Sequence, residues 1–171
     1  RTWTDAAATL QGLSEKVGDL AARTVAIAVT GQGDGTWLID KSGKPVAPAW
    51  LWLDARAAAI VDVIRSRPED RARYEINASG LAACQQGPQL LWMRQHQPHV
   101  LEKAAHGFHC KDWLYYNLTD EIVTDPTEGV FTFGNFRTRN YDTQVIDILG
   151  LHTERRLLPT IADGVSVSHA L

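Results

Sequence analysis

One stretch of the chain decides its fold: TVAIAVTGQGDGTWLIDKSGKPVAPAWLWLDAR, residues 24–56. Its apolar, β-branched start predicts a buried strand over residues 24–30. Glycines alternate with Gln32 and Asp34 in residues 31–35, so the strand is expected to end in a flexible loop that carries an acid. Residues 36–40 and 45–53 predict two further strands, joined by a turn at residues 41–44. The second of these returns tryptophans, Asp54 and Arg56 towards the loop. Carboxylates beside an apolar ring wall are typical of sites for small polyhydroxylated ligands.

The composition is that of a globular protein. With 171 residues the chain can bury the core of one domain, and 44% apolar with 22% charged residues is ordinary for such a domain. The 17 basic and 20 acidic residues give a net charge of −3, which argues against nucleic acid or an anionic membrane as a partner. No apolar run is long enough to span a bilayer, and no secretory signal is visible. Two cysteines make no disulfide framework, so the cytoplasm is the expected location.

Helices are predicted around these strands. Apolar residues at spacings of three and four indicate an amphipathic helix between Ala6 and Leu20. A second helix is expected to follow Asp54, with its buried face formed by Ala57, Ile60, Val61 and Ile64. Further helical segments are predicted around residues 90–93, 111–118 and 142–149, whereas the alternation over residues 129–136 predicts extended chain. Strands with helices on either side indicate an α/β layered domain.

Five residues of the opening stretch are candidate ligands, and each has a structural alternative. Asp34 offers two acceptor oxygens to adjacent hydroxyls, or it forms the turn of a glycine-rich loop. Gln32 suits either a hydroxyl or the loop's own backbone. Trp52 is an apolar wall for a carbon chain or a core residue. Asp54 is first of all a helix N-cap, with ligand contact or pairing with Arg56 as the alternatives. Arg56 itself is a hydroxyl donor or a solvated surface residue.

Other conspicuous patterns do not define a site. The spacing of His106, His109 and Cys110 does not match a four-ligand zinc site, and no metal is expected. Gly31-x-Gly33-x-Gly35 is followed by a hairpin pattern, whereas the dinucleotide-binding fingerprint requires a helix at that point. Cys84 is interpreted as a small buried filler.

Three segments in this order resemble the N-terminal domain of the FGGY carbohydrate kinases. They are GQGDGTWLIDKSGKPVAPAWLWLDARA (residues 31–57), GPQLLWMRQHQP (87–98) and KDWLYYNLTDEIVTDPTEG (111–129). The resemblance covers nearly the whole chain. Within the family, Gly33-Asp34 and the segments at residues 124–129 and 131–136 are most similar to erythritol kinases. Xylulokinases and glycerol kinases are the nearest alternatives.

The resemblance implies an actin-like ATPase fold of the RNase H type, present here only in part. Residues 1–171 would belong to the N-terminal, substrate-binding domain. The starting phosphate-loop hairpin, the aspartate that acts as general base and the C-terminal ATP-binding domain would lie outside the segment. The implied reaction is transfer of phosphate from ATP, with Mg2+, to a terminal hydroxyl of a small polyol or ketose, erythritol being preferred.

The same resemblance assigns no catalytic residue to this segment. It assigns substrate binding to Gln32, Asp34, Trp52, Asp54 and Arg56, and it makes Gln85 and Gln86 weaker candidates. The expected partner is a small polyol or sugar, with no nucleic acid and no membrane; a homodimer is one expected assembly. A xylulokinase-like enzyme, or a non-catalytic ligand-binding module with the same half-fold, remains an alternative.

Overall fold

A computed structural model describes residues 1–170. The chain divides into two compact units, Arg1–Thr30 and Gly31–Leu171. In the first unit, helix α1 (Thr2–Lys16) is followed by the short helix α2 (Leu20–Arg23). Helix α1 ends at Lys16, where Val17 is extended, and Asp19, which directly precedes α2, has the left-handed φ of 57°. The helix predicted near the start of the chain is therefore confirmed, with a break before Leu20.

The strand predicted over residues 24–30 is wrong. These residues form no regular secondary structure, and Val25 is 99% exposed. A strand is stabilised by hydrogen bonds to a neighbouring strand, and none of the strands described within residues 1–170 pairs with this segment. A high β-propensity without a pairing partner does not make a strand.

The second unit alternates short strands with helices. Its elements are β1 (Trp37–Ile39), α3 (Ala58–Arg65), α4 (Glu69–Asn77), α5 (Gln86–His96), α6 (Pro98–Lys103), β2 (His106–Phe108), α7 (Cys110–Thr119), β3 (Val123–Thr124), α8 (Pro126–Phe133), β4 (Gly134–Asn135), β5 (Asn140–Tyr141), α9 (Thr143–Leu149), a 3-10 helix (Glu154–Leu157) and β6 (Thr160–Ile161). Strands β1 and β2 pair antiparallel, as do β4 and β5, while β3 and β6 pair in parallel. The predicted mixed α/β architecture is confirmed.

The hairpin after the glycine-rich loop forms only in part. Strand β1 lies within the predicted segment 36–40, and Asp40 Oδ1 closes the turn by accepting the backbone N–H of Ser42 at 2.8 Å and of Lys44 at 3.0 Å. The returning segment 45–53 makes isolated bridges from Pro45 to Ile39 and from Trp50 to Thr36, not a regular strand. Two prolines in that segment remove the N–H donors that a continuous ladder needs.

Residues 129–136 are not extended over their first half, as predicted, but belong to α8. Asp125 caps this helix, because its Oδ1 accepts the N–H of Thr127 at 2.7 Å and of Glu128 at 3.1 Å. Pro126 occupies the first helical position, where its missing N–H costs nothing. This start signal outweighs the alternation of residues 130–136, and extended chain begins only at Gly134.

The core of the second unit is built around α5. Leu90 and Met93 of α5 are fully buried and pack in one cluster with Val61 and Ile64 of α3 and with Leu149 of α9. The predicted buried face of α3 is therefore confirmed. Gln89, on the same helix, accepts the hydroxyl hydrogen of Thr36 at 2.7 Å. Helix α5 thereby fixes the strand that follows the glycine-rich loop.

Candidate substrate-binding site

The glycine-rich loop has a defined backbone shape. Asp34 has φ of 60° and Gly35 has φ of 84°, both in the left-handed region. Gly35 donates its N–H to the Cys84 carbonyl at 2.9 Å, and a Cβ at this position would collide with the carbonyl oxygen of Trp50. Glycine is therefore required at Gly35, and the loop is held between the start of α5 and the returning segment.

The Asp34 carboxylate is only half satisfied. Its Oδ2 accepts a hydrogen bond from the Cys84 thiol at 3.3 Å, whereas its buried Oδ1 has no hydrogen-bond partner within residues 1–170. Burial, and next the bond to Asp34, raise the pKa of Cys84 to about 11. Cys84 is half-buried, not the small buried filler that was predicted, and its thiol donates to Asp34. Leaving a buried acceptor unpaired costs roughly 1–3 kcal/mol, so a further donor that reached Oδ1 would be bound favourably.

Gln32 presents a second unpaired group on the same loop. Its Nε2 is buried and has no acceptor among the described residues. The backbone of Gln32 donates towards the Cys110 thiol, but burial, the larger effect, still raises the pKa of that thiol. The loop therefore offers an unused donor at Gln32 and an unused acceptor at Asp34.

Asp54 and Arg56 form a pair on the returning segment. Arg56 donates from Nη2 to Asp54 Oδ2 at 2.5 Å and from Nε to Asp54 Oδ1 at 3.0 Å, and this hydrogen bonding lowers the pKa of Asp54. The Arg56 guanidinium carbon also lies 3.4 Å from the ring centroid of Trp50. The prediction that Asp54 caps a helix is wrong: α3 begins at Ala58, and the Asp54 carboxylate is occupied by the Arg56 backbone and side chain.

Trp52 is an exposed side chain, not a core residue. It is 54% exposed, whereas Trp50 is buried. The antiparallel bridge between Thr36 and Trp50 sets the register of the two segments. The pairing does not continue to Trp52, which lies in a turn closed by the Asp54 N–H and the Leu51 carbonyl at 3.0 Å. Trp52 thus follows the bridge on the returning segment with its indole accessible to solvent.

A cluster of ionisable side chains beside the loop was not predicted from the sequence. His109 begins α7 with a capping box: its N–H donates to Asp112 Oδ2 at 2.9 Å, and its Nδ1 lies 3.3 Å from the same oxygen. Its Nε2 lies 3.7 Å from Glu128 Oε2 in α8. Burial alone lowers the pKa of His109, but Asp112, Glu128 and Asp34 together outweigh it and raise that pKa.

Lys111 completes the cluster. Its Nζ pairs with the carboxylate of Asp125 and lies 3.5 Å from Glu128 Oε1. Burial lowers the pKa of Lys111, but the acids around it have the greater effect and raise it. Lys111 begins the third of the segments that carry the family resemblance. Its pairing with Asp125 and Glu128, which lie 14 and 17 positions further on, is a tertiary contact that no local spacing reveals.

The family model described as "FGGY family of carbohydrate kinases, N-terminal domain" matches residues 1–171. The chain belongs to the FGGY family of carbohydrate kinases. It is 54% identical over 171 residues to an erythritol kinase from Brucella abortus, covering 100% of this chain and 33% of that protein. A glycerol kinase from Brucella ovis is 31% identical over 172 residues, covering 94% of this chain and 34% of the relative. The chain thus spans about a third of the length of these relatives.

Solved structures agree with this FGGY assignment. The xylulose kinase of Rhodospirillum rubrum superposes with a TM-score of 0.89 at 22% identity, over 99% of this chain and 35% of that one. A Plasmodium falciparum glycerol kinase with ADP gives 0.71 at 22% identity, over 90% and 31%. At this identity the likeness establishes the fold alone, and the predicted actin-like fold is confirmed.

The remaining sequence candidates in this FGGY segment have structural partners. Gln85 Nε2 donates to the Gly80 carbonyl at 2.9 Å, and Gln86 Nε2 donates to the Phe108 carbonyl at 3.1 Å. Both side chains are buried and hold loops in place. Within residues 1–170, no three His, Cys, Asp or Glu side chains are arranged to hold a metal ion. The described helices are all too short or too polar to cross a membrane.

Proposed function

We propose that the full-length protein transfers the γ-phosphoryl group of ATP to a terminal hydroxyl of a small polyol, with erythritol preferred. The observation that carries this proposal is the 54% identity to an erythritol kinase along all 171 residues. Identity to the glycerol kinase is 31%, and to a xylulose kinase from Staphylococcus xylosus 24% over 144 residues. Sequence identity thus falls from the erythritol kinase through the glycerol kinase to the xylulose kinase, which favours a polyol over a ketose as the substrate.

Residues 1–171 are proposed to be part of the substrate-binding domain, with positioning as their task. Phosphoryl transfer depends mainly on orientation and charge stabilisation, so holding the polyol fixes which hydroxyl faces the phosphate. Asp34 Oδ1 accepts a hydroxyl hydrogen, and Gln32 Nε2 donates to a hydroxyl oxygen. Each gives a buried polar atom the partner that it lacks.

The hairpin is proposed to form the opposite wall of the site. The exposed indole of Trp52 packs against the carbon chain of the polyol. Asp54 fixes the Arg56 guanidinium against Trp50, and the Arg56 Nη1 hydrogens stay free of the bonds to Asp54 for a substrate oxygen. Asp54 therefore acts through Arg56.

The described residues do not fit ATP or Mg2+. Residues 31–35 lead into β1 rather than a helix N-terminus, and the acids of this part of the chain form no metal-binding group. We therefore assign ATP and Mg2+ to other parts of the enzyme and derive no step through them here. We further propose that the protein is cytoplasmic and acts on a small molecule, with a homodimer as the expected assembly.

The test is an ADP-release assay of the full-length protein with erythritol, glycerol, xylulose and ribulose. We expect the highest kcat/KM with erythritol. In an Asp34→Asn variant, the KM for erythritol should rise by about tenfold or more, because a charge-assisted acceptor is lost while the side-chain size is kept. A preference for xylulose would refute the substrate, absence of turnover with all four would refute the activity, and an unchanged KM would remove Asp34 from the site.

A further inference from the structure

The loop backbone at Gly33 lies against the carboxylate of Glu128, with no side chain of residue 33 between them. A Cβ built on Gly33 would lie 3.3 Å from Glu128 Oε1 and 4.0 Å from Oε2. Unlike Gly35, Gly33 does not have a positive φ, so its backbone does not require glycine. The lack of a side chain at Gly33 thus has a spatial consequence: the chain carries no atom between the loop and the Glu128 carboxylate at this point.

Glu128 is a buried acid without a close donor. The residue is 6% exposed, and its nearest cations are Lys111 Nζ at 3.5 Å and His109 Nε2 at 3.7 Å. Both distances are longer than an ordinary charge-assisted hydrogen bond. No other hydrogen bond reaches the Glu128 carboxylate within residues 1–170. Lys111 and His109 have closer partners in Asp125 and Asp112, so they offset the charge of Glu128 only in part and leave its oxygens able to accept a further hydrogen bond.

Asp34 lies in the same electrostatic neighbourhood. Asp34 follows Gly33, whose Cβ position is 3.3 Å from Glu128 Oε1, and the charges of both acids raise the pKa of His109. Asp34 also has an unpaired, buried oxygen. Two under-used carboxylates beside one glycine make a surface suited to a ligand that carries several hydroxyl donors.

We infer that Glu128 is a second substrate-binding carboxylate, which accepts a polyol hydroxyl across Gly33 while Asp34 accepts another. His109 and Lys111 are positioning residues that hold Glu128 and balance its charge. The inference rests on the proposed function, because it takes the polyol as ligand. It adds a specificity determinant outside the hairpin: a substrate that lacks the hydroxyl facing Glu128 leaves a buried carboxylate unpaired and is rejected.

The first test uses the full-length protein with Glu128→Gln, which keeps the side-chain size and removes the charge. We expect the KM for erythritol to rise by about 10- to 100-fold, since a charge-assisted hydrogen bond is lost. The kcat and the KM for ATP should change by less than about twofold, because the polyol is bound weakly but in the same place.

The matched control is Glu154→Gln. Glu154 is also a buried acid, 4% exposed, at the start of the 3-10 helix, and it pairs with Arg94 at 3.1 Å. This substitution removes a buried charge away from the loop, so it should lower the melting temperature but leave the KM for erythritol unchanged. An equal rise in KM for both variants would trace the effect to weakened folding and overturn the inference.

A second variant covers Glu128 instead of changing it. Gly33→Ala places a methyl group 3.3 Å from the Glu128 carboxylate without backbone strain, and Gly80→Ala is its control, because a Cβ there meets no atom within 4 Å. We expect the KM for erythritol to rise for Gly33→Ala and to stay constant for Gly80→Ala. The Gly33→Ala and Gly80→Ala variants test the role of Glu128 even if the Glu128→Gln variant does not fold.

The outcomes separate the inference from the proposed function. If the wild-type enzyme turns over no polyol, both fail. If the wild type uses erythritol and neither Glu128→Gln nor Gly33→Ala raises its KM, the proposed function stands and the role of Glu128 is refuted.

Discussion

At the scale of single residues, Asp34 combines three features that seldom coincide. Its backbone has a left-handed φ of 60°, one carboxylate oxygen accepts the Cys84 thiol, and the other is buried without a partner. A left-handed non-glycine residue costs roughly 1 kcal/mol or more, and such strain is concentrated at functional sites. The left-handed φ suits a turn-forming residue, and the unpaired Oδ1 is the feature on which the proposed ligand role of Asp34 rests.

His109 gives the protein a specific dependence on pH. Because the folded-state pKa of His109 is raised above its ordinary value of 6.5, its protonated form stabilises the fold. This stabilisation is complete below about pH 6.5 and is lost as pH rises through the raised pKa. Asp112, Glu128 and Asp34 face the imidazole, with Lys111 beside Glu128, and all three acids favour the charged form.

The measurement is the free energy of unfolding between about pH 6 and about pH 9, for the wild type and for His109→Gln. We expect the wild type to lose more stability over this interval than the variant, which has no proton to release. Parallel pH profiles would mean that His109 is already neutral at the lower pH and carries no charge in the cluster.

At the scale of elements, the ionisable cluster around His109 is built from the first turns of α7 and α8. Asp112 lies in the first turn of α7, while Asp125 caps α8 and Glu128 lies in its first turn. Carboxylates are favoured at helix N-termini, where the backbone N–H groups carry partial positive charge. The helix starts, together with His109 and Lys111, therefore make it possible to gather three acids in a largely buried place.

The two side-chain caps of this region offer a matched comparison. Within residues 1–170, Asp142 caps α9 through the N–H of Gln144 at 2.9 Å, accepts a hydrogen bond from the Asn135 side chain and pairs with no cation, whereas Asp125 caps α8 and also pairs with Lys111. We expect Asp142→Ala to lower the free energy of unfolding by about 1 kcal/mol. Asp125→Ala should cost at least about 1 kcal/mol more, because Lys111 loses its close partner. Denaturant unfolding measures both, and equal losses would show that the pair with Lys111 adds no stability.

Local signals explain which elements could be predicted from the sequence. The periodic apolar residues of α1, α3 and α5 and the turn after β1 are properties of short segments, and these predictions are confirmed. Residues 24–30 could not be assigned in the same way, since a strand depends on its partner. Asp54 and Asp125 look alike as caps, and only the fold reveals that Arg56 occupies the first.

In the candidate site too, the sequence predicted what is local but not the contacts between distant segments. Gln32, Asp34 and Trp52 lie close in sequence, so the sequence could present them as one group. Their partners lie elsewhere: Cys84 precedes α5, and Glu128 belongs to α8. Contacts between distant segments are set by tertiary packing, which is why the cluster around His109 escaped prediction.

At the scale of the whole molecule, the segment accounts for one side of the proposed reaction. It spans about a third of the length of its FGGY relatives, and its described residues include the unpaired acceptor of Asp34 and the exposed indole of Trp52. In the proposed function, this part of the chain therefore selects and orients the hydroxyl compound, and ATP is bound by other parts of the enzyme.

The most direct test of this account is a crystal structure of the full-length protein with erythritol bound. We predict hydroxyl oxygens within hydrogen-bond distance, about 2.6–3.2 Å, of Asp34 Oδ1 and of the Glu128 carboxylate, with the carbon chain against Trp52. An erythritol molecule bound away from residues 31–35, with Asp34 Oδ1 paired to another group of the protein, would contradict the central claim.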